Sequence, residues 1–114
     1  MNQPTQAVTD VPEFITDLDG GNFDRSLSIA LSLVASAVMD HQKNGQVNIA
    51  MKFQPIPGSH QVRCVHTLSF SKPTMDGKAA EETERSTVLF VGQFGKLSLA
   101  QPPLFGKQGE LSQS

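Results

Sequence analysis

The amino-acid sequence predicts an α+β fold, one N-terminal helix packed on a roughly four-stranded antiparallel sheet. Three observations lead there. Residues 26–39 contain no charged side chain and carry apolar groups at helical spacing. Two later segments, 46–54 and 61–70, alternate apolar and polar residues with the period of a half-buried strand. Beyond them no helical pattern separates one strand from the next. That excludes a doubly wound parallel sheet and favours consecutive antiparallel strands with a helix on one face.

Residues 13–19 (EFITDLD) read as a short apolar and acidic lead-in, broken by Gly20 and Gly21. Asn22 or Asp24 is suited to cap the helix that follows, and Asp24 also complements the positive end of its dipole. Leu27, Leu31, Val34 and Val38 recur at helical spacing with Ala30 and Ala35 beside them, while Lys43, Asn44 and Gly45 supply the stop. The helix is therefore placed at about residues 23–42. A second apolar row, Ile29, Leu33 and Ala37, lies beyond a stripe of Asp24, Ser28, Ser32, Ser36 and Asp40. Two apolar rows imply burial on two sides. Ser28, Ser32, Ser36, Ile29 and Leu33 are accordingly the candidate interface with another copy of the chain, the small seryl groups allowing a close approach.

In the first strand Val47, Ile49, Met51 and Phe53 share one face; in the second Val62, Cys64, His66, Leu68 and Phe70 do. Pro55, Pro57 and Gly58 make the connection a proline-fixed loop rather than a two-residue turn. Residues 71–86 (SKPTMDGKAAEETERS) are polar, mixed in charge and without period, and read as a long loop of functional or mobile character. A third strand is expected at 87–91 and a short fourth at 96–99. Residues 1–12 and 101–114, rich in Gln, Pro, Gly and Ser, read as disordered tails, which leaves 13–100 as a single domain.

The 114 residues suffice for one modest core. A lone cysteine, Cys64, rules out an internal disulfide framework and fits a reducing compartment. No basic segment followed by an apolar one opens the chain, and the uncharged run is shorter than a membrane span of about 20 residues. These features lead us to expect a cytoplasmic protein. The net charge of −2 is unevenly placed: −5 over residues 1–40, +4 over 41–75 and −1 over 76–114. That balance fits neither a densely acidic DNA mimic nor a histone-like protein.

Catalytic and metal signatures are missing. Counted from Asp17 as a calcium loop, Asn22 stands where Gly is required and Ser28 where a bidentate Glu is. Gly20-Gly21 follows no fingerprint strand and precedes no Lys-Ser/Thr, and Asp17, Asp19 and Asp24 would repel phosphate. His41, His60 and His66 lack metal-ligand spacing. His66, on the apolar side of its strand, reads as a partly buried histidine at the sheet edge. Cys64 shares its face two residues away, but nothing in the sequence lowers its pKa or orients a base. No catalytic residue, metal site or cofactor is expected, and no enzymatic activity.

The outer face of the hairpin carries Gln46, Asn48, Lys52, Gln54, Gln61, Arg63, Thr67 and Ser69, with no acid among them. Such a face can follow a nucleic-acid backbone. Lys52, Arg63, Lys43, Lys72, Asn48 and Gln61 are the candidate DNA or RNA contacts. Against this, the absence of Trp and Tyr removes the usual platforms for stacked bases.

The segments EFITDLDGGNFDRSLSIALSLVASAV, GQVNIAMKF and LSFSKPTMDGKAAEETERSTVLFVG resemble a group of short uncharacterised proteins encoded in tailed-phage and prophage genomes. FITDLDGG and KPTMDGKAAEE are the most distinctive parts, and neither is a catalytic signature. The resemblance implies a small phage accessory protein acting inside the bacterial cell. It brings no functional residue with it. Three roles follow: an oligomeric module of phage DNA replication or recombination using the hairpin face, a host-directed inhibitor of a bacterial defence protein gripping through residues 71–86 and the acidic N-terminal part, or a minor virion or assembly protein.

Overall fold

In the computed structural model, described for residues 8–99, two consecutive helices precede a four-stranded antiparallel meander. Helix α1 (Val11–Asp17) begins inside the stretch expected as a tail. Asp10 caps it by accepting the Glu13 amide at 3.3 Å, and Pro12 suits a first turn whose amides lack helical partners. Residues 1–7 of the expected N-terminal tail and the whole of the expected C-terminal tail, 101–114, lie outside the described residues. A 3₁₀ turn (Leu18–Gly21) then redirects the chain through three left-handed residues, Asp19, Gly20 and Gly21, at φ 53°, 63° and 90°. Glycine accepts this region without a Cβ clash, and aspartate is among the side chains that tolerate it.

Helix α2 (Asn22–His41) starts and stops one residue earlier than the sequence predicts. Neither expected capping residue serves as cap: Gly21 occupies that position, and the Asn22 side chain instead accepts Arg25 Nη1 at 3.0 Å. At the other end Gln42, at φ 52°, rather than Asn44-Gly45, takes the left-handed conformation and returns its amide to the Val38 carbonyl. Gly45 matters for a different reason. A Cβ there would stand 2.6 Å from Val34 Cγ1, 3.0 Å from Val38 Cγ2 and 3.2 Å from the Ser71 carbonyl. The helix thus crosses the start of the sheet too closely for a side chain. Gly45→Ala is expected to cost about 1–3 kcal/mol by overpacking, read from urea denaturation.

The strands are β1 (Gln46–Pro55), β2 (Gln61–Pro73), β3 (Lys78–Val91) and β4 (Leu97–Ser98), hydrogen-bonded in that order. The largest departure from expectation is at residues 71–86. Ser71–Pro73 extend β2, a turn spans 74–77, and 78–86 form the first part of β3, paired from Lys78 opposite Pro73 to Ser86 opposite Val65. Thr74 accepts the Gly77 amide on its hydroxyl and donates its own amide to the Gly77 carbonyl, while Lys43 Nζ donates to the carbonyls of Thr74 (2.7 Å) and Met75 (3.2 Å). This half of β3 is solvated on both faces, so its strand character comes from the ladder with β2, and no alternation of hydropathy records it.

The core is small. Leu18, Phe23, Cys64, Leu68 and Leu89 form its buried cluster, with Phe14, Ile15, Leu27, Val47, Met51, Val62 and Leu97 against it. From α2, Phe23, Ala30, Val34 and Ala37 are buried on the sheet. The second apolar row therefore divides: Ala37 is buried, whereas Ile29 and Leu33 remain 54% and 40% exposed. At about 30 Å, α2 lies along β2 and β1 and leaves much of β3 bare.

Candidate functional site

Register decides which side chains meet on each face of the sheet. Val47 lies opposite Phe70, Ile49 opposite Leu68, Met51 opposite His66 and Phe53 opposite Cys64, so the apolar alternations of β1 and β2 share the helix side, as the sequence predicts. On the outer face the rows read Gln54–Arg63–Val88, Lys52–Val65–Ser86, Ala50–Thr67–Glu84 and Asn48–Ser69–Glu82. Lys52 and Arg63 are diagonal neighbours on adjacent strands at one end, close enough for their long side chains to share a ligand. Gln61 lies one row beyond, opposite Phe90.

Two corrections to the expected cationic face follow. It is free of acids only across β1 and β2, because β3 adds Glu82 and Glu84 beside Ser69 and Thr67, and Thr67 Oγ1 donates to Glu84 at 3.4 Å. Asn48 therefore lies in the acidic rows. Two of the candidate cations also leave the face. Lys43 holds the 74–77 turn through its two carbonyl bonds, and Lys72, opposite Ala79, projects to the helix side half-buried. Lys52, Arg63 and Gln61 remain together at the end nearest the β1–β2 loop.

The polar residues of the helix side form a second group. His66 is 2% exposed on the central strand β2, not at a sheet edge. Its Nε2 lies 3.0 Å from Thr87 Oγ1, and its ring meets Phe23 edge-on at 5.5 Å between centroids. The same hydroxyl accepts the Asp19 amide at 3.0 Å, and Asp19 Oδ2 stands 3.6 Å from Arg85 Nε. Burial pushes the His66 pKa down, with Asp19 opposing and Arg85 assisting. Burial likewise pushes the Cys64 thiol up, so the neighbouring thiol is held protonated and unreactive. The enclosed thiol and the imidazole tied to a threonine thus belong to the packed interior of the domain.

The His66 shift has a sign that can be measured. A lowered folded-state pKa means the unfolded chain takes up the proton first as pH falls through about 6.5. The stability held by neutral His66 is therefore present above that range and lost progressively below it. Thermal midpoints recorded from pH 8 to pH 5 are expected to fall most steeply below about 6.5, and His66→Gln should flatten that limb.

The seryl stripe points away from the sheet. Ser28, Ser32 and Ser36 are exposed, and Ser28 Oγ donates back to the Asp24 carbonyl at 2.9 Å. Ile29 and Leu33, with Ser26 beside them on α2, instead line a groove between the helix and the bare part of the sheet, with Phe70, Glu81 and Thr83 opposite. Among the described residues no helix is long and apolar enough to cross a membrane, and no three His, Cys, Asp or Glu side chains are grouped to hold a metal ion.

Sequence reasoning missed Glu82 and Glu84 on the outer face and the Asp19–Thr87–His66 connection within. One signal was present for both. Counting back by twos from Leu89 places Thr87, Arg85, Thr83 and Glu81 on the helix side and Glu82 and Glu84 on the other.

Comparison with known proteins gives a consistent picture. The model of the YfdP family matches residues 10–97. The chain is 37% identical over 93 residues to a protein of Escherichia coli (strain K12) described as "Uncharacterized protein YfdP", the match covering 82% of this chain and 77% of that one. No solved structure matches.

Proposed function

The chain belongs to the YfdP family, and on that premise we propose that it is a small non-enzymatic accessory protein of a tailed phage or prophage, a self-associating module that meets nucleic acid with the outer face of its sheet. The observation that carries this reading is the grouping of Lys52, Arg63, Gln54 and Gln61 at one end of that face, with the acids Glu82 and Glu84 confined to the other. Extended polar side chains on a sheet supply hydrogen-bond donors to phosphate oxygens, and two adjacent cations release two counterions on binding. The likeness to short phage and prophage proteins supports the setting, and the enclosed His66–Cys64 pair supports the absence of catalysis.

Fluorescence anisotropy against single- and double-stranded DNA and RNA tests the reading. Binding should weaken steeply with salt, and Lys52→Ala/Arg63→Ala should lower both the affinity and the slope of log K against log salt, the latter by about two for a duplex. Absence of binding at low salt, or binding indifferent to both substitutions, defeats it.

The groove beneath Ile29 and Leu33 favours a second reading, a protein partner such as a bacterial defence protein. In that case Ile29→Lys/Leu33→Lys abolishes capture of the partner while DNA binding is unchanged.

A further inference from the structure

We infer that the free edge of β1 pairs with the β1 edge of a second copy, joining two four-stranded sheets into one across a two-fold axis beside Ala50. The pairing deepens the reading above and rests on its self-association, while assigning it to a strand edge rather than to the seryl helix face.

Among the described residues the sheet has two open edges of unlike character. Along β3 the edge before Phe90 is unpaired by β4 and carries Glu81, Glu82, Glu84 and Arg85, charges of the kind that discourage strand addition. Along β1 there is one charged residue, Lys52, and a single proline at the end, Pro55. An unguarded edge is a template for another strand. Pairing β1 with the other edge would be head-to-tail and open-ended, whereas β1 with β1 closes as a dimer.

The hydrogen bonds fix which residues face that edge. Ile56 donates its amide to the Gln61 carbonyl, so the even residues of β1 bond to β2 and the odd ones turn their N–H and C=O outward. Val47, Ile49, Met51 and Phe53 therefore present the free ladder. Pro55, which has no N–H, ends it.

Only certain registers are self-consistent. An even pairing sum keeps apolar residues opposite apolar ones and both helices on the same side of the joined sheet; an odd sum sets apolar against polar. With Ala50 opposite its counterpart, Val47 meets Phe53, Ile49 meets Met51, and Lys52 meets Asn48 rather than another lysine. All four outward residues are then paired, about eight backbone bonds in all, and Pro55 falls just beyond.

Side-chain exposure agrees. Ile49 and Phe53 are 44% and 48% exposed on the helix side of β1. Leu31 is also exposed, on the flank of α2 opposite the Ile29–Leu33 groove and so toward β1. Helices seated over the two β2 strands would be separated by three strand spacings, about 14 Å, which leaves room for these side chains to meet between them. On the other surface, the two copies of Lys52 and Arg63 come to lie on four adjoining strands that hold no acid, with Glu82 and Glu84 displaced to the flanks.

Sedimentation of the full chain across a concentration series, with Ile49→Pro and Leu33→Lys alongside, tests the pairing. Ile49 turns its N–H away from β2, so proline removes a free-edge donor while sparing the intramolecular ladder. The wild type should dimerise, Ile49→Pro should weaken dimerisation about tenfold to a hundredfold, and Leu33→Lys should leave it unchanged. A wild type monomeric at high micromolar concentration overturns both the pairing and the self-association. A dimer that persists in Ile49→Pro, or is lost in Leu33→Lys, overturns the edge pairing alone. Should Ile49→Pro fail to fold, amide exchange in the wild type decides: the Val47, Ile49, Met51 and Phe53 amides should gain protection with concentration, and concentration-independent exchange overturns the pairing. DNA titrations are read separately, since neither variant removes Lys52 or Arg63.

Discussion

Leu18→Ala is expected to lower the unfolding free energy by about 3 kcal/mol, within the range for a leucine truncated in a core that cannot collapse. Leu18 has no exposed surface, and it lies in the 3₁₀ turn between α1 and α2, in contact with the cluster of Phe23, Cys64, Leu68 and Leu89. Relaxation into the void is hindered because the next residue, Asp19, is tied to Thr87 on β3 through its amide. For a domain of this size, such a loss corresponds to a fall in melting temperature of about 12–24 °C. Urea denaturation gives the value directly, with the slope against denaturant unchanged. A change below 1 kcal/mol would mean that Leu18 is not part of the cooperative core.

The second large effect comes from one hydroxyl. Thr87→Val preserves shape but leaves two groups without their partner, the Asp19 amide and His66 Nε2, each 3.0 Å from the oxygen it loses. With the imidazole hydrogen on Nδ1, the Thr87 hydroxyl donates to Nε2 while accepting from the Asp19 amide, so one atom satisfies both. Stranding two partly buried polar groups is expected to cost about 2–4 kcal/mol. Thr87→Ser keeps the hydroxyl and should recover most of it. If valine and serine behave alike by thermal or chemical denaturation, the hydroxyl is not what holds the 3₁₀ turn to the sheet. The Asp19–Arg85 ion pair, with Arg85 well exposed, adds little by comparison.

The elements legible in the sequence were those whose two sides differ in environment. Helix α2 and the first ten residues of β2 each have a buried and a solvated side, and β1 turns Val47 and Met51 partly inward beneath the helix; each shows its period. The half of β3 from Lys78 to Ser86 has no buried side, so its strand character is invisible in composition and resides in backbone bonds to β2. The same blindness affected the candidate surface. An acid-free hairpin could be read from β1 and β2, but Glu82 and Glu84 become its neighbours only once the third strand is in register. Lys43 and Lys72 looked like free cations because a sequence does not show a lysine reaching turn carbonyls 31 and 32 residues away, or a strand continuing past Phe70. His66 was correctly placed on the apolar side; its depth depended on β3 lying beyond β2.

Every strand of the meander pairs with the one before it in sequence, which bears on how the chain reaches this state. The two long hairpins can zip from their turns, each closing only a short loop, a process of about 1–10 μs for isolated hairpins. Among the described residues, the contacts that span most of the chain tie its N-terminal part to β3 and β4: the Asp19 amide to Thr87 across 68 residues, Leu18 against Leu89, and the Leu97 amide to Thr9 across 88. Closing such spans carries the greater entropic cost and belongs to a later stage, the docking of the N-terminal helices onto a preformed ribbon. Substitutions within the β2–β3 hairpin should therefore slow refolding, whereas Leu18→Ala should act mainly by quickening unfolding.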